Sequence, residues 1–370
     1  MAKALIIGAG AIGRGFLPWV FQDLDFDLFD LSEDLCTNIR RQRGYSSYMT
    51  SNKELSRRFF QPVKCTSLDK TLDLSEYTLT FIAVGPRNCA QLPESFSGLE
   101  CPIYSLENDP STVETISKRL NSNKVFFGVP DVITSSTASP ENLIEDPLSL
   151  HTENGILFLE ANDYVSSEIQ KYLPSVVWAS RDEMIREWNA KLFLHNTPHC
   201  VAAYLGFLDG RKYLHESFEN KFIVDVVEGV LEELILAMKR ITNYDHDFLE
   251  NYADKELSRF SNRLLFDPIV RVAREPLRKL ARGGRLLGGL ELCVLAGVNP
   301  VNINLGIAAA LNYSDSSDRD HNAIQEIDAF GLTNFLKYFV GLTPETIESR
   351  YIVKYYEEAK GLLRRKLLWS

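Results

Sequence analysis

The sequence lacks several features that would restrict its function at once. No run of about 18 apolar residues occurs along the 370 residues, so no membrane span is predicted. The opening Met-Ala-Lys-Ala-Leu-Ile-Ile-Gly lacks the long apolar region of a signal peptide, and we therefore expect a cytoplasmic protein. The six cysteines form no C-x-x-C pair and no H-E-x-x-H occurs, so neither a disulfide framework nor a metal site is predicted.

Length and composition describe an ordinary globular protein of two domains. Hydrophobic residues make up 45% of the chain and charged residues 24%. The formal net charge of −10 argues against general binding to nucleic acid. A chain of 370 residues is too long for one typical core, which favours a division into two domains.

The first motif is a glycine-rich turn that follows a short apolar run, Ala4-Leu-Ile-Ile7. Its G-x-G-x-x-G spacing is formed by Gly8, Gly10 and Gly13, with Ala11 and Ile12 between the last two. The first glycine permits a tight turn, the second lets a pyrophosphate approach the backbone, and the third allows helix and strand to pack closely. Free N–H groups at the start of the next helix would then bind the phosphates. This pattern predicts a dinucleotide-binding turn.

Asp30 ends the second predicted strand, at the position where an acid accepts hydrogen bonds from the adenosine ribose. Its charge would repel a 2′-phosphate, and the next three residues supply no arginine, so the sequence favours NAD over NADP. The alternative interpretation is an acid at the N-terminus of the following helix.

Further apolar runs complete a predicted sheet. The strand Thr78–Val84 ends at Gly85, and we place Ala83, Val84 and Gly85 against the cofactor because open α/β sheets bind ligands at the carboxyl ends of their strands. The next run brings Asn108 to the same edge, and another leads to Asp131. After about residue 180 helical spacing dominates. We therefore predict an N-terminal α/β Rossmann-type doubly wound sheet at residues 1–180 and a mainly all-α domain at 181–370.

The stretch Lys191–His199 concentrates polar chemistry in nine residues. On an ideal helix Lys191, Asn196 and His199 fall within an arc of roughly 140°. Thr197-Pro198 also resembles an N-cap followed by a first-turn proline, so a new helix could begin there. Either geometry would bring the three polar groups to one cavity; the alternative is a helix boundary whose polar residues face water.

A basic cluster lies between residues 271 and 285, where six basic side chains accompany one acid, Glu275. Pro276 and Gly283-Gly284 forbid one continuous helix through it. In an acidic protein such a cluster suits an anion, since arginine matches phosphate geometry. A solvated basic face or an anchor for salt links between domains is the alternative.

Together these motifs resemble the polyol-specific long-chain dehydrogenase/reductase family over nearly the whole length of the chain. The resemblance is carried by the following segments: Gly8–Phe16, Ala83–Pro86, Glu107-Asn108, the K-x(4)-N-x(2)-H pattern of Lys191, Asn196 and His199, Ala203–Gly206, Arg259–Asn262, Arg274–Leu280, Arg285-Leu286 and Gly306–Ala310. The chain departs from the usual family pattern in three places: Val132 stands where an arginine is usual, Pro198 where phosphate-specific relatives commonly carry glycine, and the pair Trp188 and Asn189 where an acid is common.

The resemblance implies metal-independent hydride transfer between NAD and a sugar carbonyl, with mannitol 1-phosphate and fructose 6-phosphate as the expected pair. It implies that Lys191 is the general acid/base, which requires a pKa below its ordinary value of about 10.4. Asn108 and Asn196 would stabilise the substrate oxygen and His199 would orient it. The implied substrate ligands are Asp131, Arg274, Arg278, Lys279 and Arg285.

Three alternatives remain open at this point. A family member could reduce a hexuronate (fructuronate or tagaturonate) or interconvert free mannitol and fructose, because an arginine grips a carboxylate as readily as a phosphate. A protein of another class could keep the fold as a non-catalytic NAD sensor. The expected partner is a small polyol or sugar phosphate rather than nucleic acid or membrane; family members are often monomers, and no coiled-coil heptads occur.

Overall fold

The computed structural model describes residues 2–51 and 54–367. The chain forms two compact units, one of Met1–Trp188 with Leu264–Phe266 and one of Asn189–Arg263 with Asp267–Ser370. The first division falls inside a helix, Arg181–Ala190, whereas the sequence analysis placed it at the start of that helix, between residues 180 and 181. Residues 1 and 368–370, the outer ends of the two predicted domains, lie outside the described residues.

All strands of the described residues belong to the first unit. Their bounds are β1 (Lys3–Ile7), β2 (Asp25–Phe29), β3 (Tyr45–Ser51), β4 (Glu54–Phe60), β5 (Lys64–Thr66), β6 (Leu79–Ile82), β7 (Ile103–Ser105), β8 (Val125–Asp131), β9 (Leu150–Glu153), β10 (Ile156–Glu160) and β11 (Val177–Ala179).

The main sheet has eight strands in the order β11-β10-β8-β7-β6-β1-β2-β5. Every neighbouring pair is parallel except β8 and β10. Strand β1 lies at the point where the order reverses, between β2 and β6. Ligands of doubly wound sheets bind outside the carboxyl ends of the strands at such a point, which is where the glycine-rich turn begins.

The apolar run of β1 explains why this strand is central. Ala4 and Ile6 belong to one hydrophobic core, whereas Leu5 and Ile7 belong to another. Because successive side chains point to opposite faces, a strand without alternation must be covered on both sides. The sheet is therefore doubly wound, as the sequence predicts.

A second, three-stranded sheet with the order β4-β3-β9 was not predicted. Strand β4 is exposed along most of its length, so its sequence shows no alternation of apolar and polar residues. Strand β9 pairs with β3 from a distant part of the chain, and a local pattern carries no signal for such a pairing.

Helices make up the second unit, and the first unit has helices of its own between its strands. The α-helices are α1 (Leu17–Val20), α2 (Glu33–Gln42), α3 (Thr112–Leu120), α4 (Pro140–Glu145), α5 (Ser167–Gln170), α6 (Arg181–Ala190), α7 (Thr197–Leu208), α8 (Leu214–Ser217), α9 (Lys221–Ile241), α10 (His246–Asp254), α11 (Glu256–Phe260), α12 (Ile269–Ala273), α13 (Pro276–Lys279), α14 (Arg285–Leu295), α15 (Val301–Ala310), α16 (His321–Phe330), α17 (Leu332–Phe335) and α18 (Ile347–Lys366). Three π-helical segments, Ala11–Phe16, Lys191–Asn196 and Leu336–Val340, and four 3₁₀ turns, Asp69–Thr71, Leu74–Glu76, Pro86–Gln91 and Glu94–Gly98, complete the helical structure. Within residues 2–51 and 54–367, no helix has the length and apolar character needed to cross a membrane.

Alanine substitutions at two glycines of the glycine-rich turn would test how closely its backbone packs. A Cβ atom added to Gly13 would lie 1.9 Å from the Gly8 carbonyl oxygen, whereas one added to Gly10 would meet no atom within 4 Å. We expect Gly13→Ala to lower the free energy of unfolding by more than about 2 kcal/mol, because the clash is with backbone. Gly10→Ala, the matched control, should change it by less than about 0.5 kcal/mol. Denaturant titration of both variants gives the comparison, and equal effects would contradict this account of the turn.

Candidate functional site

The glycine-rich turn of the first unit is held by backbone contacts from three strands. Gly8 adopts a φ of 100° and donates its N–H to the Phe29 carbonyl at 2.8 Å. A side chain there would lie 2.4 Å from the Ala83 oxygen, so only glycine fits. Gly10 is exposed, and the π-helical segment Ala11–Phe16 begins directly after it. The N–H groups at the start of this segment have no partner within the helix and can bind an anion.

Asp30 connects the end of β2 to the glycine-rich turn. Its Oδ2 atom accepts a hydrogen bond from the Ala9 N–H at 2.8 Å, and its Oδ1 atom accepts one from the Ser32 N–H at 2.9 Å. Ser32, and not Asp30, is the N-cap of α2, which disfavours the alternative role as a helix-terminal acid. Each carboxylate oxygen can accept a second bond, so ribose hydroxyls could still donate to this group.

The other predicted residues of the first unit lie on the same sheet edge or beside it. Ala83, Val84 and Gly85 follow β6, and the Gly85 N–H donates to Oε1 of the buried Glu107 at 2.8 Å. Asn108 comes next and is exposed to solvent. Asp131 is buried at the end of β8.

Sequence reasoning missed one residue of this turn, Arg14. Its Nε donates to the Ala9 carbonyl at 2.9 Å, and its Nη1 donates to the Leu148 carbonyl. Burial lowers the pKa of this guanidinium from its ordinary value. Arg14 thus ties the turn to the Leu148 backbone, a role that the motif spacing alone does not reveal.

The stretch Lys191–His199 of the second unit lies on one continuous helical rod, which is α-helical at both ends and π-helical in the middle. The rod runs through α6, the π-helical segment Lys191–Asn196 and α7 without a break. Thr197 is the first residue of α7, and its N–H donates to the Leu192 carbonyl, five residues earlier. The helix therefore does not restart at an N-cap, the second geometry considered from the sequence, but passes through a π turn.

Pro198 explains the position of this π turn. Proline has no N–H, and its ring clashes with the carbonyl four residues earlier, so regular α winding cannot continue through it. The first unit repeats the pattern, since the π-helical segment Ala11–Phe16 is followed by Leu17-Pro18. With i→i+5 bonding a turn takes more than four residues, so Lys191 and Asn196, which are five apart, lie closer to one face than they would on a regular α-helix.

All three predicted catalytic side chains of this rod are buried. Lys191 is 4% exposed, Asn196 5% and His199 6%. The bland alternative, polar side chains that face water at a helix boundary, is therefore not what the structure shows. Within the described residues the Asn196 carboxamide makes no hydrogen bond, which leaves its donor and acceptor available to a ligand.

His199 lies between an aromatic ring and a carboxylate. Its ring stacks on Phe260, with centroids 5.2 Å apart and an interplanar angle of 18°. Its Nε2 atom lies 3.5 Å from Oδ2 of the buried Asp267. Burial lowers the pKa of His199 to about 4 despite this carboxylate, so the imidazole is neutral at pH 7.

His195, which the sequence analysis assigned no role, is the second histidine of a pair. Its ring centroid is 5.2 Å from that of His199, and its Nδ1 atom lies 2.5 Å from Oε2 of Glu256. Arg259 holds the other oxygen of this buried carboxylate at 2.6 Å. Asp267 and Glu256 were both missed because they lie far along the chain from the histidines that they meet.

The basic cluster divides into paired and unpaired cations. Three of its arginines have carboxylate partners: Arg271 with Asp267, Arg278 with Glu275, and Arg282 with Glu291. In the described part of the chain, the other three members make no ion pair within 4 Å: Arg274, Lys279 and Arg285. As predicted, the segment is not one helix, and its breaks fall at Arg274-Glu275 and at residues 280–284.

Lys279 is the most buried of these cations, at 1% exposure. Its Nζ atom donates to the Arg274 carbonyl and lies 5.3 Å from the centroid of the Tyr204 ring. Burial, with Arg285 nearby, lowers the pKa of Lys279 well below its ordinary value. Burial also lowers the pKa of Arg285 to about 10.

The unpaired cations adjoin the helix that carries the predicted catalytic residues. The Thr197 hydroxyl lies 2.8 Å from the Arg285 carbonyl, and Tyr204 belongs to the same helix, α7. Two cations without a carboxylate therefore pack against the rod that holds Asn196 and His199. Among the residues that the structure describes, no group of three or more His, Cys, Asp or Glu side chains could hold a metal ion.

Comparison with protein families and curated proteins gives consistent matches. Residues 186–340 match the family described as Mannitol dehydrogenase C-terminal domain. The mannitol-1-phosphate 5-dehydrogenase of Thermoanaerobacter pseudethanolicus is 26% identical over 401 residues, covering 99% of this chain and 100% of the relative. The enzyme of the same name from Caldanaerobacter subterraneus subsp. tengcongensis is 27% identical over 390 residues, covering 98% and 100%.

Solved structures confirm the fold. The Pseudomonas fluorescens mannitol 2-dehydrogenase, in a ternary complex with NAD and D-mannitol, has a TM-score of 0.77 at 16% identity, covering 98% of this chain and 92% of its own. A substrate-free D-sorbitol dehydrogenase has a TM-score of 0.71 at 14% identity, covering 98% and 94%. These likenesses confirm a Rossmann-type α/β sheet followed by a helical region.

Proposed function

From its membership of the mannitol dehydrogenase family, we propose that this oxidoreductase interconverts mannitol 1-phosphate and fructose 6-phosphate with NAD. Full-length similarity to mannitol-1-phosphate 5-dehydrogenases supports the reaction class. The observation that carries the phosphate assignment is the group of three cations, Arg274, Lys279 and Arg285, that have no carboxylate partner in the described part of the chain. A neutral polyol would leave these charges uncompensated.

The residues of the glycine-rich turn fit a dinucleotide. Gly10 has open space where a pyrophosphate would approach, and the N–H groups after it point to no partner within the helix. Asp30 retains acceptor capacity for ribose hydroxyls, and its negative charge disfavours a 2′-phosphate. When bound, NAD supplies the hydride acceptor at its nicotinamide ring.

The buried side chains of the rod would handle the proton. Lys191 takes the hydroxyl proton at Nζ when the polyol is oxidised and returns it when the ketose is reduced. This role requires a lysine that is removed from water, and Lys191 is buried. Asn196 donates its amide N–H to the oxygen where negative charge develops, and Asn108 is the second candidate donor.

The remaining predicted residues would bind and orient the sugar. His199, as a neutral imidazole, orients the substrate oxygen. Arg274, Lys279 and Arg285 bind the phosphate, with Arg278 contributing less because Glu275 already holds its Nε at 2.9 Å. Asp131 is proposed to accept hydrogen bonds from substrate hydroxyls.

The activity itself is tested by following NADH absorbance with fructose 6-phosphate, fructose, fructuronate and tagaturonate. We expect kcat/KM for fructose 6-phosphate to exceed that for fructose about 100-fold or more, since two charge-assisted hydrogen bonds contribute roughly 1.5 kcal/mol each. Fastest turnover of a uronate would instead identify a hexuronate reductase. Binding of NADH without oxidation by any of the four would favour a sensor.

Replacing Lys191 tests the proton acceptor. Methionine keeps most of the buried volume and removes Nζ, so we expect Lys191→Met to lower kcat about 10³-fold while the Kd for NADH changes less than about 3-fold. Lys221→Met, at an exposed lysine of the same unit, is the matched control and should keep normal turnover. Near-normal turnover of Lys191→Met would remove this lysine as the acid/base.

Replacing Arg285 tests the phosphate site. We expect Arg285→Met to lower kcat/KM for fructose 6-phosphate at least 10-fold and to change that for fructose less than about 3-fold, because only the phosphate needs the guanidinium. Arg282→Met, in the same cluster but paired with Glu291, should affect neither sugar. An equal loss on both sugars would make Arg285 a structural residue.

A further inference from the structure

Asp267 is a buried carboxylate in the second unit that the proposed reaction does not use. It follows the Leu264–Phe266 segment and lies just before α12. Its position is fixed by the backbone on both sides, since its carbonyl accepts the Leu214 N–H at 2.9 Å and the Ile269 N–H donates to the Lys212 carbonyl at 3.0 Å. The carboxylate therefore cannot move far without disturbing two segments.

Arg271 fixes the carboxylate itself. Its Nε lies 2.6 Å from Oδ1 and its Nη2 lies 2.8 Å from Oδ2, so the guanidinium grips both oxygens. Burial alone would raise the pKa of Asp267, but Arg271 and His199 lower it to about 2, so the group is charged at neutral pH. A charged carboxylate can only accept hydrogen bonds.

The oxygen that faces His199 therefore determines which imidazole nitrogen is protonated. Oδ2 lies 3.5 Å from Nε2, and the charged or titratable groups beside the ring are Asp267, His195 and Arg271. Phe260 covers one face of the ring. In the described residues the Nδ1 atom of His199 makes no hydrogen bond. Nε2 is buried and makes no hydrogen bond within the described residues, so Oδ2 of Asp267 acts on it through its negative charge at 3.5 Å. A neutral imidazole has one N–H, and this charge favours the tautomer that carries it on Nε2.

We infer that Asp267 is a positioning residue, which holds His199 with its proton on Nε2 and leaves Nδ1 as a hydrogen-bond acceptor for a substrate hydroxyl. This inference rests on the proposed function for its catalytic consequence, but the protonation pattern is independent of turnover. A fixed lone pair on Nδ1 selects a hydroxyl group over a carbonyl oxygen as its partner. His199 would thus orient the substrate by accepting a hydrogen bond from one of its hydroxyl groups. Asn196, in contrast, can donate its amide N–H to a substrate oxygen.

Asparagine at position 267 gives an isosteric test. The Arg271 donors would retain the single amide oxygen, so the amide NH₂ would turn toward His199 and favour the opposite tautomer, with the proton on Nδ1. Asp209→Asn is the matched control, because Asp209 is also buried in the second unit and pairs with Arg211 at 2.9 Å, but it belongs to the far end of α7.

The first measurement is ¹⁵N NMR of the imidazole nitrogens in protein labelled at its six histidines, with His199→Gln used to assign the signals. We expect His199 to remain neutral from pH 5.5 to 8 with its proton on Nε2 in the wild type and in Asp209→Asn. In Asp267→Asn the proton should move to Nδ1. A wild-type signal with the proton on Nδ1 overturns the inference, whether or not the protein is active and whether or not the variant folds.

The second measurement is a double-mutant cycle on kcat/KM for fructose 6-phosphate. Asp267→Asn should lower kcat/KM at least 10-fold, and it should cause less than a 2-fold further loss in a His199→Ala background, because both changes remove one interaction. A merely structural role would multiply the two losses and contradict the inference. Wild-type protein that reduces none of the four sugars would refute the proposed function and leave the NMR result to decide the tautomer.

Discussion

The arrangement of the second unit depends on one backbone constraint, the missing N–H of Pro198. Because α winding cannot pass through this proline unchanged, the rod forms a π turn over Lys191–Asn196. The i→i+5 bonding of that turn places Lys191 and Asn196 closer to one face than regular α winding would, and the α-helix that follows carries His199. π turns of this kind occur frequently at functional sites. In the first unit, Pro18 likewise follows a π-helical segment, Ala11–Phe16, which begins directly after the glycine-rich turn. Each predicted site therefore includes a π-helical segment that precedes a proline.

Burial of charge is the second constraint, and two carboxylates resolve it in the same way. Glu256 meets His195 and Arg259, and Asp267 meets His199 and Arg271. A buried carboxylate is costly unless it is paired, and an arginine fork satisfies two acceptors at once. His199 then need not be charged, and its low pKa of about 4 agrees with this. The two histidine rings of the rod pack against each other and against Phe260 of α11.

The sequence predicted what local patterns determine. The apolar runs of β1 and β6 show buried parallel strands, and the glycine spacing shows the turn that follows β1, because each signal lies within a few residues. The three-stranded sheet, Asp267 and Glu256 escaped prediction, because β9 pairs with β3, and the two acids meet histidines, only after the chain folds. The Lys191, Asn196 and His199 pattern was visible as spacing, but the arc expected from an ideal α-helix did not include the π turn. Whether these side chains and the glycine-rich turn serve one reaction remains a prediction of the resemblance.

The unpaired cations lead to the strongest argument for an anionic substrate. Removing an ammonium from water without a carboxylate partner costs several kcal/mol, and a nearby aromatic ring offsets only about 2 kcal/mol of that. Lys279 is in this position, with Tyr204 as its ring and Arg285 as a like-charged neighbour that adds to the cost. A phosphate or carboxylate bound beside them would remove both the repulsion and the desolvation deficit. If the proposed anionic substrate binds here, it would recover the free energy that the folded chain loses by gathering these charges, and a neutral sugar of the same shape would not.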